Sequence, residues 1–242
     1  MRKNTYKNPT LIEAVFELRF PPNDKWGMGS VVRFANLADK EGFPEVVDSP
    51  EGFQINFGSG KNPPEFRPAS RRVQTWNREK TELWQASSEL FAANRRAPYQ
   101  GWDEFYPHIL KGLDIYQRIA KQKTANHLAL QYVNRIEYSR ENDLSDFLTF
   151  MPPQIEFADL VKSAACTAQY QYQDGDLITV NAGLNLDVPK RPAMILNINY
   201  SSPEPALVQS KLKKKIELAH QRLIDAFEKS ITDQQRERMV LK

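Results

Sequence analysis

The sequence predicts an α+β fold of two similar halves, each running strand, helix, antiparallel strands, long helix. Three observations carry that prediction. Residues 99–121, YQGWDEFYPHILKGLDIYQRIAK, space Trp102, Phe105, Ile109, Leu113, Tyr116 and Ala120 at steps of three or four, the signature of one buried helical face. Val208, Leu212, Ile216, Ala219, Leu223 and Phe227 repeat that spacing near the end of the chain. Each stripe follows a series of segments in which apolar and polar residues alternate, as in strands with one buried face. The halves divide as 1–123 and 124–242 and are expected to pack as one unit.

The first half opens on a strand, LIEAVFELRF, with Ile12, Ala14, Phe16, Leu18 and Phe20 on one face and Glu13, Glu17 and Arg19 on the other. Pro21 and Pro22 end it, since proline cannot donate to a strand ladder. Ser30 is the expected N-cap of a helix through Glu41, which Gly42 and Pro44 stop. Strands are predicted at 45–48, 53–57, 70–76 and 82–91, separated by turn-forming residues. The long helix at 99–121 closes this half.

The second half begins with LALQYVNRIEY, in which Leu128, Leu130, Tyr132, Ile136 and Tyr138 share a face against Gln131, Arg135 and Glu137. A helical stretch is expected at 143–150 and a second short helix at 155–164. In CTAQYQYQ, Cys166, Ala168, Tyr170 and Tyr172 are predicted to face inward, and Asp174-Gly175 signals a hairpin to a strand at 177–186. A further strand covers 193–200. Pro203 and Pro205 introduce the final long helix, and Thr232 with Gln235 forms a capping pair for a short terminal one.

This order matches the fold shared by the TATA-binding-protein repeat and the helix-grip proteins, where a curved sheet packs one face against a long C-terminal helix. Each amphipathic face needs a cover, and the helix stripes and strand faces cover each other. The two halves are expected to join through their first strands into one continuous curved sheet.

The composition narrows function mainly by exclusion. Of 242 residues, 40% are hydrophobic, enough for a sizeable core, and 33 basic against 30 acidic residues leave a formal charge of only +3. An anionic partner is permitted by that balance and not demanded. The single cysteine, Cys166, rules out an intrachain disulfide. No apolar run approaches the roughly 20 residues that span a bilayer, and MRKNTYKNPT lacks the apolar stretch of a signal peptide. A cytoplasmic protein with no membrane partner is expected.

The segments NPTLIEAVFELRF, PYQGWDEFYPHI, YVNRIEY and FEKSITD together resemble a sporadically distributed, functionally uncharacterised prokaryotic family of similar length. The resemblance covers nearly the whole chain, with PYQGW and FEKSITD its most specific parts, and it implies no activity, cofactor or catalytic residue. Sporadic distribution associates the family with mobile cassettes, including defence and toxin–antitoxin systems.

No catalytic constellation stands out. HExxH, CxxC and GxSxG patterns are missing, and the three histidines, His108, His127 and His220, are scattered. GMGSVV lacks the spacing of a phosphate loop and reads as the turn that starts a helix. Glu13 and Glu17 share a strand face, which a solvated surface explains as well as a proton-handling pair does. No cofactor and no metal site are expected, and the chain reads as non-enzymatic. The candidate contacts to an anionic partner are Arg71, Arg72, Arg78, Arg95 and Arg96, and Trp76 and Trp84 are candidate partner-contact aromatics. Lys211, Lys213, Lys214 and Lys215 read as a solvated helix face. The leading expectation is a protein-interaction or regulatory module with a protein partner. A nucleic-acid-binding saddle and a carrier of a small apolar ligand are the alternatives, and a homodimer is compatible with each.

Overall fold

The computed structural model describes residues 6–49, 52–56, 65–69, 72–122, 124–137, 143–150, 163–185, 192–203 and 209–240. The first strand, β1 (Leu11–Arg19), alternates as its sequence does, burying Ala14, Phe16 and Leu18. Helix α1 (Met28–Lys40) follows, with Val31, Phe34 and Ala38 inward. Its N-cap is Gly27 rather than Ser30, so the helix starts two residues before that serine. Then come β2 (Glu45–Ser49), β3 (Gly52–Asn56), β4 (Glu65–Ala69), β5 (Arg72–Trp76), β6 (Glu82–Ala86) and β7 (Leu90–Arg96). The single strand expected at 82–91 is therefore two strands joined by a turn, and β4 was not expected at all. Helix α2 (Trp102–Ala120) buries the stripe read from the sequence.

The rest of the chain forms β8 (His127–Glu137), one 3-10 turn at Leu144–Asp146, β9 (Ser163–Gln171), β10 (Leu177–Asn185) and β11 (Ala193–Ser202). Helix α3 (Gln209–Ser230) and helix α4 (Asp233–Met239) complete it. The helical stretch expected at 143–150 is only that single turn. Most of the one expected at 155–164 lies outside the described residues, and its last two positions belong to β9. Thr232 does cap α4, its hydroxyl accepting from the Gln235 backbone N–H at 3.1 Å.

Nine strands form one antiparallel sheet in the order β2-β5-β6-β7-β1-β8-β11-β10-β9, and β3 and β4 pair separately. The join at the middle is the pair β1–β8, with Phe16 opposite Leu130 and Ala14 opposite Tyr132. These are the two strands expected to meet. Helix α1 lies on β5 and β6 and packs against α2, which lies on β7, while α3 lies on β8, β10 and β11. All three cover the same side, and one continuous core fills the space between, from Phe34, Trp84 and Phe105 to Tyr132, Tyr200 and Leu223. Pairing fixes which side chains share a face, because neighbouring strands keep paired residues on the same side.

On the side away from the helices the sheet has two sectors. Over β5, β6 and β7 it is closed: Leu83, Leu90 and Ala92 are buried there, so β7 is buried on both faces. From β1 to β9 the side chains on that side are half-buried or exposed, and no described helix packs on them.

Candidate binding surface

The accessible sector is built from alternate residues of five strands. Register places Val15, Gln131, Asn199, Thr179 and Gln169 in one row across β1, β8, β11, β10 and β9. The adjacent row runs through Val133, Asn197, Asn181 and Thr167. Between β1 and β10 the surface sinks into a hollow of about 330 Å³, whose walls include Glu17, Arg19, His127, Gln131, Asn181 and Asn199. Amides and hydroxyls, from Gln131, Thr179, Asn181, Asn197 and Asn199, make up half of its lining. Gln131 Nε2 donates to Asn197 Oδ1 at 2.9 Å, Thr167 Oγ1 to Asn181 Oδ1 at 2.9 Å, and Gln169 Nε2 to Thr179 Oγ1 at 3.1 Å. Each amide has two donors and an acceptor oxygen, so one such bond leaves most of its capacity pointing outward. The Asn199 side chain makes no hydrogen bond to a described residue.

Charge on this side is largely cancelled in place. Arg19 Nε lies 2.7 Å from Glu17 Oε1, Arg135 Nη1 lies 3.3 Å from Glu137 Oε1, and Arg96 Nε lies 3.8 Å from Glu13 Oε1. Glu13 also ends a hydrogen-bonded chain across four strands. Gln74 donates to Gln85 at 3.2 Å, Gln85 to Asn94 at 3.0 Å, and Asn94 to Glu13 at 2.9 Å. Glu13 and Glu17 are therefore each held by their own partners and do not form a carboxylate pair. Burial lowers the pKa of His127 from its ordinary value, Arg19 adds to the shift and Glu17 opposes it, so the ring is neutral at neutral pH.

The residues singled out in the sequence are dispersed by the fold. Arg72 lies on the same side as the hollow, where its Nη1 reaches Gln85 Oε1 at 3.5 Å. Trp76 and Arg96 come together there: the guanidinium sits 4.6 Å from the indole ring, Lys80 approaches the same ring at 5.7 Å, and Trp76 is left 9% exposed. Arg78 is exposed in the turn between β5 and β6. Arg95 points to the helix side, is 8% exposed, and pairs with Glu82 at 2.6 Å and Gln100 at 3.1 Å. Trp84 is 0% exposed, stacks on Phe43 at 4.0 Å and donates its Nε1–H to the His108 carbonyl at 3.1 Å. Both are core residues. Arg71 lies outside the described residues.

Polar clusters on the helix side knit elements together. Asp176, 0% exposed, receives Lys215 Nζ at 2.8 Å, the Tyr200 hydroxyl and the Arg222 guanidinium. Arg222 also reaches Asp174 at 2.9 Å and lies 3.8 Å from the Tyr172 ring. Lys215 is thus part of a buried ion cluster and not of the solvated lysine face expected for it. His220 stacks on Trp102 with ring centroids 4.0 Å apart, and its Nδ1 lies 2.7 Å from the Tyr132 hydroxyl. Among the described residues no group of three or more His, Cys, Asp or Glu could hold a metal ion. No described helix is long and apolar enough to cross a membrane. No protein-family model matches the sequence, and no curated protein matches it.

Proposed function

We propose that this chain is a non-catalytic binding protein whose partner is another protein, received on the amide-rich sheet surface centred on the hollow. The observation that carries this reading is the pairing of charge there: Arg19, Arg96 and Arg135 each have a carboxylate within reach on the same surface. A nucleic-acid backbone draws its affinity from cations that neutralise phosphates, and here a phosphate would compete with resident carboxylates. A protein surface, largely uncharged at its contact core and rich in peptide groups, matches rows of Gln, Asn and Thr better.

The same reading takes the chain as two halves of one plan, in the manner of the TATA-binding-protein and helix-grip folds. Its support is that β1 and β8 each pair with the last strand of their own segment, β7 and β11, and each segment ends in a long helix. The join between β1 and β8 then lies inside the proposed surface.

A photo-crosslinking residue placed at Asn199, with a control at Lys213 on the exposed side of α3, tests the partner class in the native host. The expected result is a light-dependent adduct at Asn199 that protease removes and nuclease does not. A nuclease-sensitive adduct, equal labelling at both positions, or no adduct at Asn199 would overturn the reading.

A further inference from the structure

The nine-stranded sheet has two edges, and they are built differently. At one edge β2 is five residues long, carries Glu45 and Asp48, and ties Glu45 to Lys80. At the other, β9 is nine residues long, SAACTAQYQ, with no Lys, Arg, Asp, Glu or Pro. Its pairing with β10 runs unbroken from Ser163 opposite Asn185 to Gln171 opposite Leu177, so no bulge turns the edge away. Ser163, Ala165, Thr167, Gln169, Tyr170 and Gln171 are all exposed, and no described element covers the strand. Every other backbone N–H and C=O of β9 points outward from the sheet.

An unpaired edge invites another strand, and natural edges are blunted by shortness, charge, proline or bulges. β2 uses the first two of these devices and β9 uses none. The helix side of β9 is also unfinished. Helix α3 lies on β8, β10 and β11, while Ala164, Cys166 and Ala168 stay half-buried and Tyr170 is 57% exposed.

The make-up of β9 selects its occupant. When a strand pairs with its own copy in antiparallel fashion, each residue faces one from the same strand and the residue on the two-fold axis faces itself, so an uncharged strand meets no like charge in any register. β9 has no charge to set against itself. We propose that two copies of this chain pair through β9, antiparallel and about a two-fold axis perpendicular to the sheet, joining the two nine-stranded sheets into one. Ala164, Cys166, Ala168 and Tyr170 of the two copies then cover each other on the helix side. The amide-rich surfaces of both copies become one continuous face. This inference rests on β9 alone and not on the proposed function.

The test uses the full chain in native mass spectrometry and light scattering across a concentration series. The expected mass is twice the 27.9 kDa of the chain. Ala165→Lys, Thr167→Lys and Gln169→Lys together put like charges opposite each other in every self-register centred between residues 165 and 169 and should return the mass to that of one chain. Mixing this variant with its Glu counterpart should restore a mixed dimer. A wild-type protein that stays at single-chain mass, or a triple-lysine variant that remains dimeric, overturns the proposal. Should the triple variant lose cooperative unfolding, single cysteines at each position from 163 to 171 decide instead, in a Cys166→Ala background except for the native cysteine at 166. An interchain disulfide concentrated at one of them is expected, and none at any of them overturns the pairing.

Discussion

Gly112 sits in the interior of α2, where an alanine would ordinarily stabilise a helix by about 1 kcal/mol. The structure predicts the opposite sign. A Cβ built there would lie 2.4 Å from Trp84 Nε1 and 2.6 Å from its Cδ1 and Cε2. The indole has nowhere to go: it is fully buried, stacked on Phe43 at 4.0 Å, with His108 at 5.2 Å. Overpacking of this kind costs about 1–3 kcal/mol. Pulling Nε1–H off the His108 carbonyl would strand a buried donor for about 1–3 kcal/mol more. With the helix gain subtracted, Gly112→Ala should destabilise by about 3 kcal/mol. Urea unfolding followed by tryptophan fluorescence reads this as a lower midpoint with an unchanged slope. In a Trp84→Phe background the smaller ring leaves room for the methyl group, and most of the penalty should vanish. Gly112→Ala at or above wild-type stability, or an equal penalty in both backgrounds, would refute the reasoning.

Three further outcomes follow from buried charge. Burial, with the nearby Arg95 adding to it, lowers the His108 pKa to about 3 from its usual 6.5. The unfolded chain therefore binds a proton that the folded one refuses. This contribution is complete above pH 6.5 and is lost at about 1.4 kcal/mol per pH unit as pH falls towards 3. His108→Phe should flatten that slope in denaturation measured between pH 4 and pH 7, and an unchanged slope would count against the assignment. Arg95→Ala leaves Glu82 without its partner on the helix side and should cost about 3 kcal/mol in urea unfolding, whereas Arg96→Ala, at the exposed neighbour, should cost under about 1. Equal effects would show that the two arginines do not differ in burial. Lys215→Ala should cost about 1–2 kcal/mol, because Asp176 keeps Arg222 and Tyr200. Lys213→Ala should stay within about 0.5, and thermal melts of the two variants compare them directly.

Where a segment has one buried face, the sequence announces its structure. The stripes of α2 and α3, the alternation of β1 and β8, and the cap at Thr232 are all of this kind. The sequence runs β6 into the start of β7 because both faces of β7 are buried: Leu90, Phe91, Ala92 and Ala93 show no alternation, and Ser87, Ser88 and Glu89 before them contain neither Gly nor Pro. β4 was missed because Pro68 within it argues against a strand. Lys215 misled for a different reason. A run of lysines looks like a solvated face, yet Lys215 stands three residues after Leu212 and four before Ala219, on the flank of the buried stripe. Its position was legible and its chemistry hid it, since only the structure shows Asp176 waiting opposite.

The proposed binding surface is harder to read because it belongs to no single strand. Period-two alternation already puts Gln131, Asn197, Asn199, Thr179 and Asn181 on the polar sides of their strands. That β11 lies between β8 and β10, so that these residues form adjoining rows, is a property of sheet order and not of local pattern. The arginines illustrate the converse. Two consecutive residues of a strand must face opposite sides, so Arg95-Arg96 could never have been one basic site. The fold sends Arg95 into the core beside Glu82 and leaves Arg96 over Trp76. A site on this sheet has to be assembled from residues two apart on each strand and opposite each other between strands. Applied to β8, β11 and β10, that rule collects amides and hydroxyls, with His127, Val133 and Ile195 among them, and no unpaired cation. On the proposed reading, recognition there comes from the placement of donors and acceptors, with the sum of charges contributing little.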